Sequence, residues 1–300
     1  MTLLQAIVLG IVQGLTEFIP ISSTAHLVFA SRLVGLYGGV DPTLKAEQTT
    51  ATIAVIQLGT LLAVLVYFAR DIINITRAFI VDHVALASGK KPITDERTRF
   101  FARLSQDARL GWLVILGSIP IAIVGLVFKE QIEGTFTKNL WVIATMMIVV
   151  GLLLAIAEWV GERERDMDHL GIKDALAVGF AQVLSLIPGS SRSGSTMMGG
   201  LFIGETRETA ARFSFLLSIP AIAASGALEL KEALHKLPDG SFLPLLVATV
   251  VSGAVGYASI WFLLRFLRTH STGVFIIYRV IVGAAIIFAL SGGYISAIAE

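Results

Sequence analysis

Residues 13–26 read QGLTEFIPISSTAH and residues 182–196 read QVLSLIPGSSRSGST, and apolar sequence flanks both stretches on each side. This placement predicts that both stretches lie at membrane depth. An ionisable side chain there costs about 2.5–3.5 kcal/mol on insertion scales and is usually kept for function. The two stretches also resemble each other, and that similarity organises the rest of the fold.

The composition is that of a polytopic membrane protein. Hydrophobic residues make up 55% of the chain and charged residues only 15%, whereas a soluble domain carries about 25% charged residues. Several apolar runs approach the roughly 20 residues that cross a bilayer. There are no cysteines, which excludes disulfides, zinc–thiolate sites and cysteine nucleophiles. The N-terminus lacks the features of a signal peptide, so we expect the first apolar segment to stay in the mature protein.

Two segments differ from ordinary spans. Leu3–Leu36 carries Pro20 near its centre, and Ile172–Ile203 carries Pro188 in the same way, so each predicts helix, break, helix. Two half-helices that enter and leave by one face form a re-entrant hairpin, which is tolerated where protein or water surrounds the break. The other apolar runs predict six transmembrane helices, at Ala51–Phe68, Leu110–Phe128, Leu140–Val160, Phe213–Leu228, Phe242–Leu267 and Val274–Leu290.

The chain contains an internal repeat. Residues 10–13 (GIVQ) match residues 179–182 (GFAQ), and residues 20–23 (PISS) match residues 188–191 (PGSS) with one residue fewer in between. Three predicted spans follow each match, so the second copy enters the membrane upside down. The prediction is an all-α inverted-topology repeat within one membrane domain, with the site near mid-membrane between the copies. The two copies are residues 1–168 and 169–300.

Basic residues in the loops predict the orientation. One set of loops holds 15 Lys and Arg residues and should be cytoplasmic, while the opposite set holds 6. The first hairpin would then open outward. The basic set comprises 70–109, 161–173, 204–212 and 265–272, and the opposite set comprises 31–47, 129–139 and 231–241.

The first polar stretch offers oxygen ligands and a nucleophile. Gln13 and Glu17 lie one helical turn apart and could hold a hard divalent cation, although Gln13 could equally make a packing hydrogen bond. If a half-helix begins after the break, its free N–H groups form an anion site near Ser22, Ser23 and Thr24. His26, or alternatively Glu17, could act as the base that removes the Ser23 proton for nucleophilic attack. The alternative is that a serine only caps the helix and His26 is a satisfied interior residue.

The second polar stretch offers an anion clamp. A guanidinium at membrane depth needs an anion, and the fork of Arg192 suits phosphate oxygens. Gly189 allows close backbone approach. The hydroxyls that would join Arg192 are those of Ser190, Ser191, Ser193 and Thr196. The alternative left open is an ion pair between Arg192 and Glu17. Arg279, inside the last span, also needs a partner, which the sequence does not identify.

The sequence resembles the undecaprenyl-diphosphate phosphatase family, bacterial membrane enzymes associated with bacitracin resistance. The (E/Q)xxxE segment corresponds to Gln13–Glu17, the Pro-x-Ser-Ser-Thr-x-His stretch to Pro20–His26, and the Pro-Gly-x-Ser-Arg-Ser-Gly-x-Thr box to Pro188–Thr196. The resemblance covers essentially the whole chain. It implies the same six transmembrane helices and two re-entrant hairpins.

The resemblance also implies roles. Ser23 is implied as the nucleophile, Glu17 and His26 as acid/base or metal-linked residues, and Arg192 as the phosphate clamp. Gln13 stands where many relatives have Glu. The implied cofactor is a divalent cation, Mg²⁺ or Ca²⁺, with Glu17 and Gln13 as its ligands.

The implied reaction hydrolyses undecaprenyl diphosphate to the monophosphate and inorganic phosphate, which recycles the carrier for cell-wall synthesis. Other prenyl diphosphates and membrane lipid are expected partners, and nucleic acid is not. The expected location is the bacterial inner membrane, with the site open to the periplasmic side. The oligomeric state stays open, with a homodimer among the alternatives. The competing interpretation is a secondary transporter or lipid flippase, because inverted repeats with broken helices are also typical of transporters.

Overall fold

The computed structural model describes residues 1–89, 100–128, 139–238 and 240–297. Within these ranges the chain is all-helical, as the sequence predicted, with eleven α-helices and no strand. In chain order they are α1 Leu3–Phe18, α2 Ser23–Leu33, α3 Pro42–Tyr67, α4 Ala69–Ala87, α5 Gln106–Val127, α6 Leu140–Val160, α7 Ile172–Val183, α8 Arg192–Phe202, α9 Arg207–Lys236, α10 Phe242–Leu267 and α11 Gly273–Ser291.

Five of the described helices are long and apolar enough to cross a membrane, which makes the chain a multi-pass membrane protein. They are α5, α6, α10, α11 and the Leu44–Tyr67 part of α3. Their outer surfaces stay apolar, with Leu126 74% exposed and Trp159 84% exposed, as expected where lipid covers the protein. The sixth expected span, Phe213–Leu228, lies within α9 and is not among the five. The count of six spans therefore stays a prediction.

The helix–break–helix pattern is present in both polar stretches. Ile19, just before Pro20, is extended (φ −68°, ψ 134°), because a residue before proline is disfavoured in the helical region. The chain becomes helical again at Ser23. In the second copy Ile187 is likewise extended (ψ 123°) before Pro188, and helix resumes at Arg192. In each copy the two helices contact each other, α1 with α2 and α7 with α8.

The first helix of each polar stretch packs against the other half of the chain. α1 packs on α10, and α7 packs on α5. Glycine permits both contacts: a Cβ on Gly10 would lie 2.6 Å from the Ala248 carbonyl oxygen, and one on Gly179 would lie 2.4 Å from the Gly117 carbonyl oxygen. Small residues let helix backbones approach closely in membranes. The helices of the two halves are thus interleaved.

Ion pairs connect the helices next to the loops that the sequence assigned to the cytoplasmic side. They join α4 to α9, the end of α6 to the start of α9, and the end of α10 to α9. The pairs are Arg212–Asp71 at 2.6 Å, Arg207 Nε–Glu158 at 2.6 Å and Arg268–Glu208 at 2.7 Å. Some residues of the loops whose Lys and Arg were counted lie outside the described residues, at 90–99, 129–138 and 239.

Candidate active site

A cavity of about 730 Å³ lies between the two breaks. Its apolar walls come mostly from α2, α3, α5 and α9, including Ile121 and Ala221. Seven of the residues predicted to form the site line it: Gln13, Glu17, Ser23 and Thr24 from the first stretch, and Gly189, Ser191 and Arg192 from the second. The structure therefore brings the expected hydroxyl, carboxylate and guanidinium to one cavity.

Two helix N-termini meet at this cavity. Ser23 is the first residue of α2 and Arg192 is the first residue of α8. The first N–H groups of a helix lack partners within the helix and carry a partial positive charge, so both termini favour an anion between them. The Arg192 guanidinium and these two helix ends therefore favour the same kind of ligand.

The residues just before these helices share a rare backbone conformation. Ser22 has φ 78° and Ser191 has φ 68°, in the region that favours glycine. Such residues cost about 1–3 kcal/mol each and are concentrated at functional sites. The same offset of 169 residues relates Ser22 to Ser191 and Gln13 to Gln182. The sequence match that paired 20–23 with 188–191 was therefore wrong by one residue, because the two prolines do not occupy equivalent positions in the breaks.

Glu17 forms an ion pair with Arg192. The Arg192 Nη2 donates to Glu17 Oε1, and the Gln13 Nε2 donates to Glu17 Oε2 at 3.1 Å. Both members of the ion pair are largely buried, with Arg192 15% and Glu17 7% exposed at the side chain. This is the ion pair that the sequence left open as an alternative. Removing one partner of a buried pair typically costs about 3–5 kcal/mol, since the other charge is left uncompensated.

The His26 ring makes its hydrogen bonds with groups other than the Ser23 hydroxyl. Its Nδ1 lies 2.7 Å from the Ser22 carbonyl oxygen, and its Nε2 lies 2.6 Å from the Tyr278 hydroxyl. Because a carbonyl only accepts, Nδ1 carries the proton, and in the neutral ring Nε2 accepts from Tyr278. Among the described residues no Ser23–His26 hydrogen bond forms, because the helical side chain leans back toward the N-terminus and reaches Ser22.

Three further residues predicted to bind substrate are buried and are not among the residues that line the cavity. Ser22 is 1% exposed, Ser193 3% and Thr196 0%. The Ser193 hydroxyl lies 3.1 Å from that of Ser191, and the Thr196 hydroxyl donates to the Arg192 carbonyl at 2.8 Å. Ser193 and Thr196 thus support the first turn of α8, which presents Arg192.

Comparison with known proteins gives the chain its family. The family model described as "Bacitracin resistance protein BacA" matches residues 6–285. The chain belongs to the BacA family. A similar protein named undecaprenyl-diphosphatase, from Syntrophobacter fumaroxidans, is 51% identical over 96% of this chain and 97% of its own length. Proteins of the same name from Chlorobium phaeobacteroides and Mycolicibacterium gilvum are 47% and 44% identical, each over 99% of this chain and 100% of its own length.

Two neighbouring residues of this BacA-family chain support the site but were not among the residues that the motifs predict. Tyr278 holds His26, and Arg279 donates to the backbone of both breaks. The signal for Arg279 was its position inside an apolar span. Tyr278 gave no signal, because an aromatic residue in a membrane helix is most simply a packing residue.

Proposed function

We propose that this chain is a membrane phosphatase that hydrolyses undecaprenyl diphosphate to undecaprenyl phosphate and inorganic phosphate. Its full-length similarity to proteins named undecaprenyl-diphosphatase supports the substrate. The single observation that carries the chemistry is the cavity shared by Ser23, Glu17 and Arg192. A carrier needs no nucleophile, so this set favours hydrolysis over transport.

The proposed reaction runs in two steps. Ser23 Oγ attacks the terminal phosphorus, its proton passes to Glu17, and the bond to the bridging oxygen breaks, which releases the prenyl monophosphate. Water then attacks the phosphoserine while Glu17 returns its proton to the departing Ser23 Oγ, which releases inorganic phosphate and restores both the hydroxyl and the carboxylate. Glu17 is preferred to His26 as the base because Glu17 lines the cavity, whereas His26 is not among the residues that line it.

Arg192 would change partners during this reaction. In the structure its guanidinium pairs with Glu17, and the same fork can bind two phosphate oxygens. Substrate binding would therefore draw Arg192 toward the terminal phosphate and release Glu17 to accept the proton. The N–H groups at the starts of α2 and α8 would hold the remaining negative charge.

A divalent cation, Mg²⁺ or Ca²⁺, fits the first polar stretch. Gln13 Oε1 is buried and has no hydrogen-bond partner among the described residues, and the Nε2 of the same amide donates to the Glu17 carboxylate. The described residues contain no group of three or more His, Cys, Asp or Glu that could hold a metal alone. Gln13 and Glu17 would therefore hold the ion together with oxygens of the substrate, as Mg²⁺ commonly binds. When bound, the ion would neutralise negative charge on the diphosphate.

The membrane arrangement is part of the proposal. Six transmembrane helices and two re-entrant hairpins, α1–α2 and α7–α8, would form an inverted repeat with the cavity near mid-membrane. The prenyl tail would enter sideways from lipid, which suits the apolar walls. The basic loops joined by ion pairs would face the cytoplasm of the bacterial plasma membrane, and the first hairpin would open to the periplasm.

Phosphate release from undecaprenyl diphosphate by the purified protein in detergent tests this function. We expect turnover in Mg²⁺ or Ca²⁺, loss of turnover in EDTA, and a fall of at least about 1,000-fold in Ser23→Ala. Ser88→Ala, at an exposed serine after α4, is the matched control and should retain turnover. No phosphate release by the wild type would contradict the function. Normal turnover by Ser23→Ala would rule out that nucleophile, and turnover unaffected by EDTA would rule out the metal.

A further inference from the structure

Arg279 is a fully buried cation whose described partners are all backbone carbonyls. It is 0% exposed, and among the described residues no carboxylate pairs with it. Its Nε donates to Met147 at 3.1 Å, its Nη1 to Pro20 at 3.2 Å, and its Nη2 lies near the carbonyl oxygens of Met146, Gly189 and Ser190 at 3.3, 3.1 and 3.0 Å. A buried charge is costly unless its hydrogen bonds are met, so these contacts fix the guanidinium in place.

The two breaks present equivalent atoms to this guanidinium. Pro20 and Gly189 are separated by the offset of 169 residues that also relates Ser22 to Ser191. Nη1 donates a hydrogen bond to the Pro20 carbonyl, and Nη2 donates one to the Gly189 carbonyl. Arg279 therefore joins the two breaks at matching positions, three residues before Ser23 and Arg192 respectively.

Tyr278 adds a second connection to the first break. The Tyr278 hydroxyl donates a hydrogen bond to His26 Nε2. In turn, His26 Nδ1 donates to the carbonyl oxygen of Ser22, which is the residue with positive φ. The Ser22 side chain makes no cap bond of its own, whereas the Ser191 side chain accepts from the Gly194 N–H at 3.1 Å. The Tyr278–His26 pair thus gives the first break the support that Ser191 gives the second.

We propose that Arg279, aided by Tyr278, is a positioning residue that holds the two breaks together so that Ser23 and Arg192 address the same phosphate. This inference rests on the proposed phosphatase function. The fork of a guanidinium can donate to both breaks at once, whereas the compact ammonium of lysine cannot span the same acceptors. Gly194 leaves room for it, since a Cβ there would lie 3.2 Å from Nη1.

The test compares Arg279→Lys, Arg279→Gln and Tyr278→Phe with Arg268→Lys and Tyr294→Phe, at exposed positions outside the cavity. Turnover is measured per folded, monodisperse protein. Because the chain has no cysteine, spin labels at Leu33→Cys and Phe202→Cys, the last residues of α2 and α8, report the distance between the two hairpins. This second readout does not depend on activity.

We expect the Arg279 variants to lose about 100-fold in kcat with KM nearly unchanged, since misplacement by about 1 Å can cost that much. The label distances should broaden in the same variants, Tyr278→Phe should show a smaller loss, and both controls should match the wild type. A role in stability alone would lower Tm and leave the distances in the folded fraction unchanged. Wild-type kcat and distances in Arg279→Lys would overturn the proposal. If the wild type released no phosphate, the function would fail, and the distances would still decide the positioning role.

Discussion

Arg192 is the residue whose side-chain shape matters most. Its guanidinium lies at the start of α8, pairs with Glu17 and lines the cavity. A planar fork can bind two phosphate oxygens, whereas lysine offers a point charge. We therefore expect Arg192→Lys to lower kcat by about 100- to 1,000-fold, as loss of a preorganised donor does. Arg268→Lys, which keeps a surface charge near Glu208, is the control for the same chemical change. A kcat for Arg192→Lys within a few fold of the wild type would argue against the clamp.

At the residue scale, the sequence predicted which residues form the site better than it predicted the contacts between them. The motifs singled out Glu17, Ser23 and Arg192, and all three line one cavity. The predicted base for Ser23 was His26 or Glu17, and in the structure the His26 ring hydrogen-bonds to Tyr278. A side chain's direction depends on the helix's start and its neighbours, which the local spacing does not contain.

At the element scale, the close approach of α7 to α5 should control stability. A Cβ on Gly179 would lie 2.4 Å from the Gly117 carbonyl oxygen, so alanine must push the helices apart. We expect Gly179→Ala to destabilise the protein by about 1–3 kcal/mol, measured as a lower Tm in detergent. Gly125→Ala, on α5, is the matched control, because its nearest contact would be at 4.0 Å. It should be neutral or more stable by up to about 1 kcal/mol, since alanine favours helix. Equal Tm values for Gly179→Ala and the wild type would contradict the close contact.

The breaks themselves were predictable because proline acts locally. Pro20 and Pro188 force the preceding residue out of the helix, and both breaks occur there. The alignment of the two breaks differs by one residue between sequence and structure. The sequence match pairs the two prolines, whereas the backbone conformation pairs Ser22 with Ser191. Backbone conformation, and not residue type, defines which positions correspond.

At the scale of the whole molecule, Glu205 should make stability depend on pH. It lies between α8 and α9, is fully buried, and neither carboxyl oxygen has a hydrogen-bond partner among the described residues. Burial, and secondarily the charge of Asp174, raises the pKa of Glu205 from 4.5 to about 8. The folded protein therefore binds this proton more tightly than the unfolded chain. The resulting stability is fully present below about pH 4.5 and is lost as pH rises toward about 8.

Thermal unfolding in detergent between about pH 5 and about pH 9 measures this effect. We expect the Tm of the wild type to fall with rising pH by an amount equivalent to a few kcal/mol, on the order set by the shift. Glu205→Gln keeps the shape without the charge, so its Tm should be less sensitive to pH and higher than that of the wild type near about pH 9. Identical pH profiles for the two proteins would contradict the buried, neutral carboxyl.

The sequence by itself determined three features of this chain. It showed that the protein resides in a membrane, at which residues its helices are interrupted, and which polar residues at membrane depth are too costly to be present without a function. Hydropathy, proline geometry and the cost of a buried charge are local properties, so they can be read from neighbouring residues. Only the tertiary structure decided that Glu17 pairs with Arg192, that His26 bonds a tyrosine 252 residues away, and that Arg279 joins the two breaks. Those partners are set by the packing of helices from both halves, which brings distant residues within hydrogen-bonding distance.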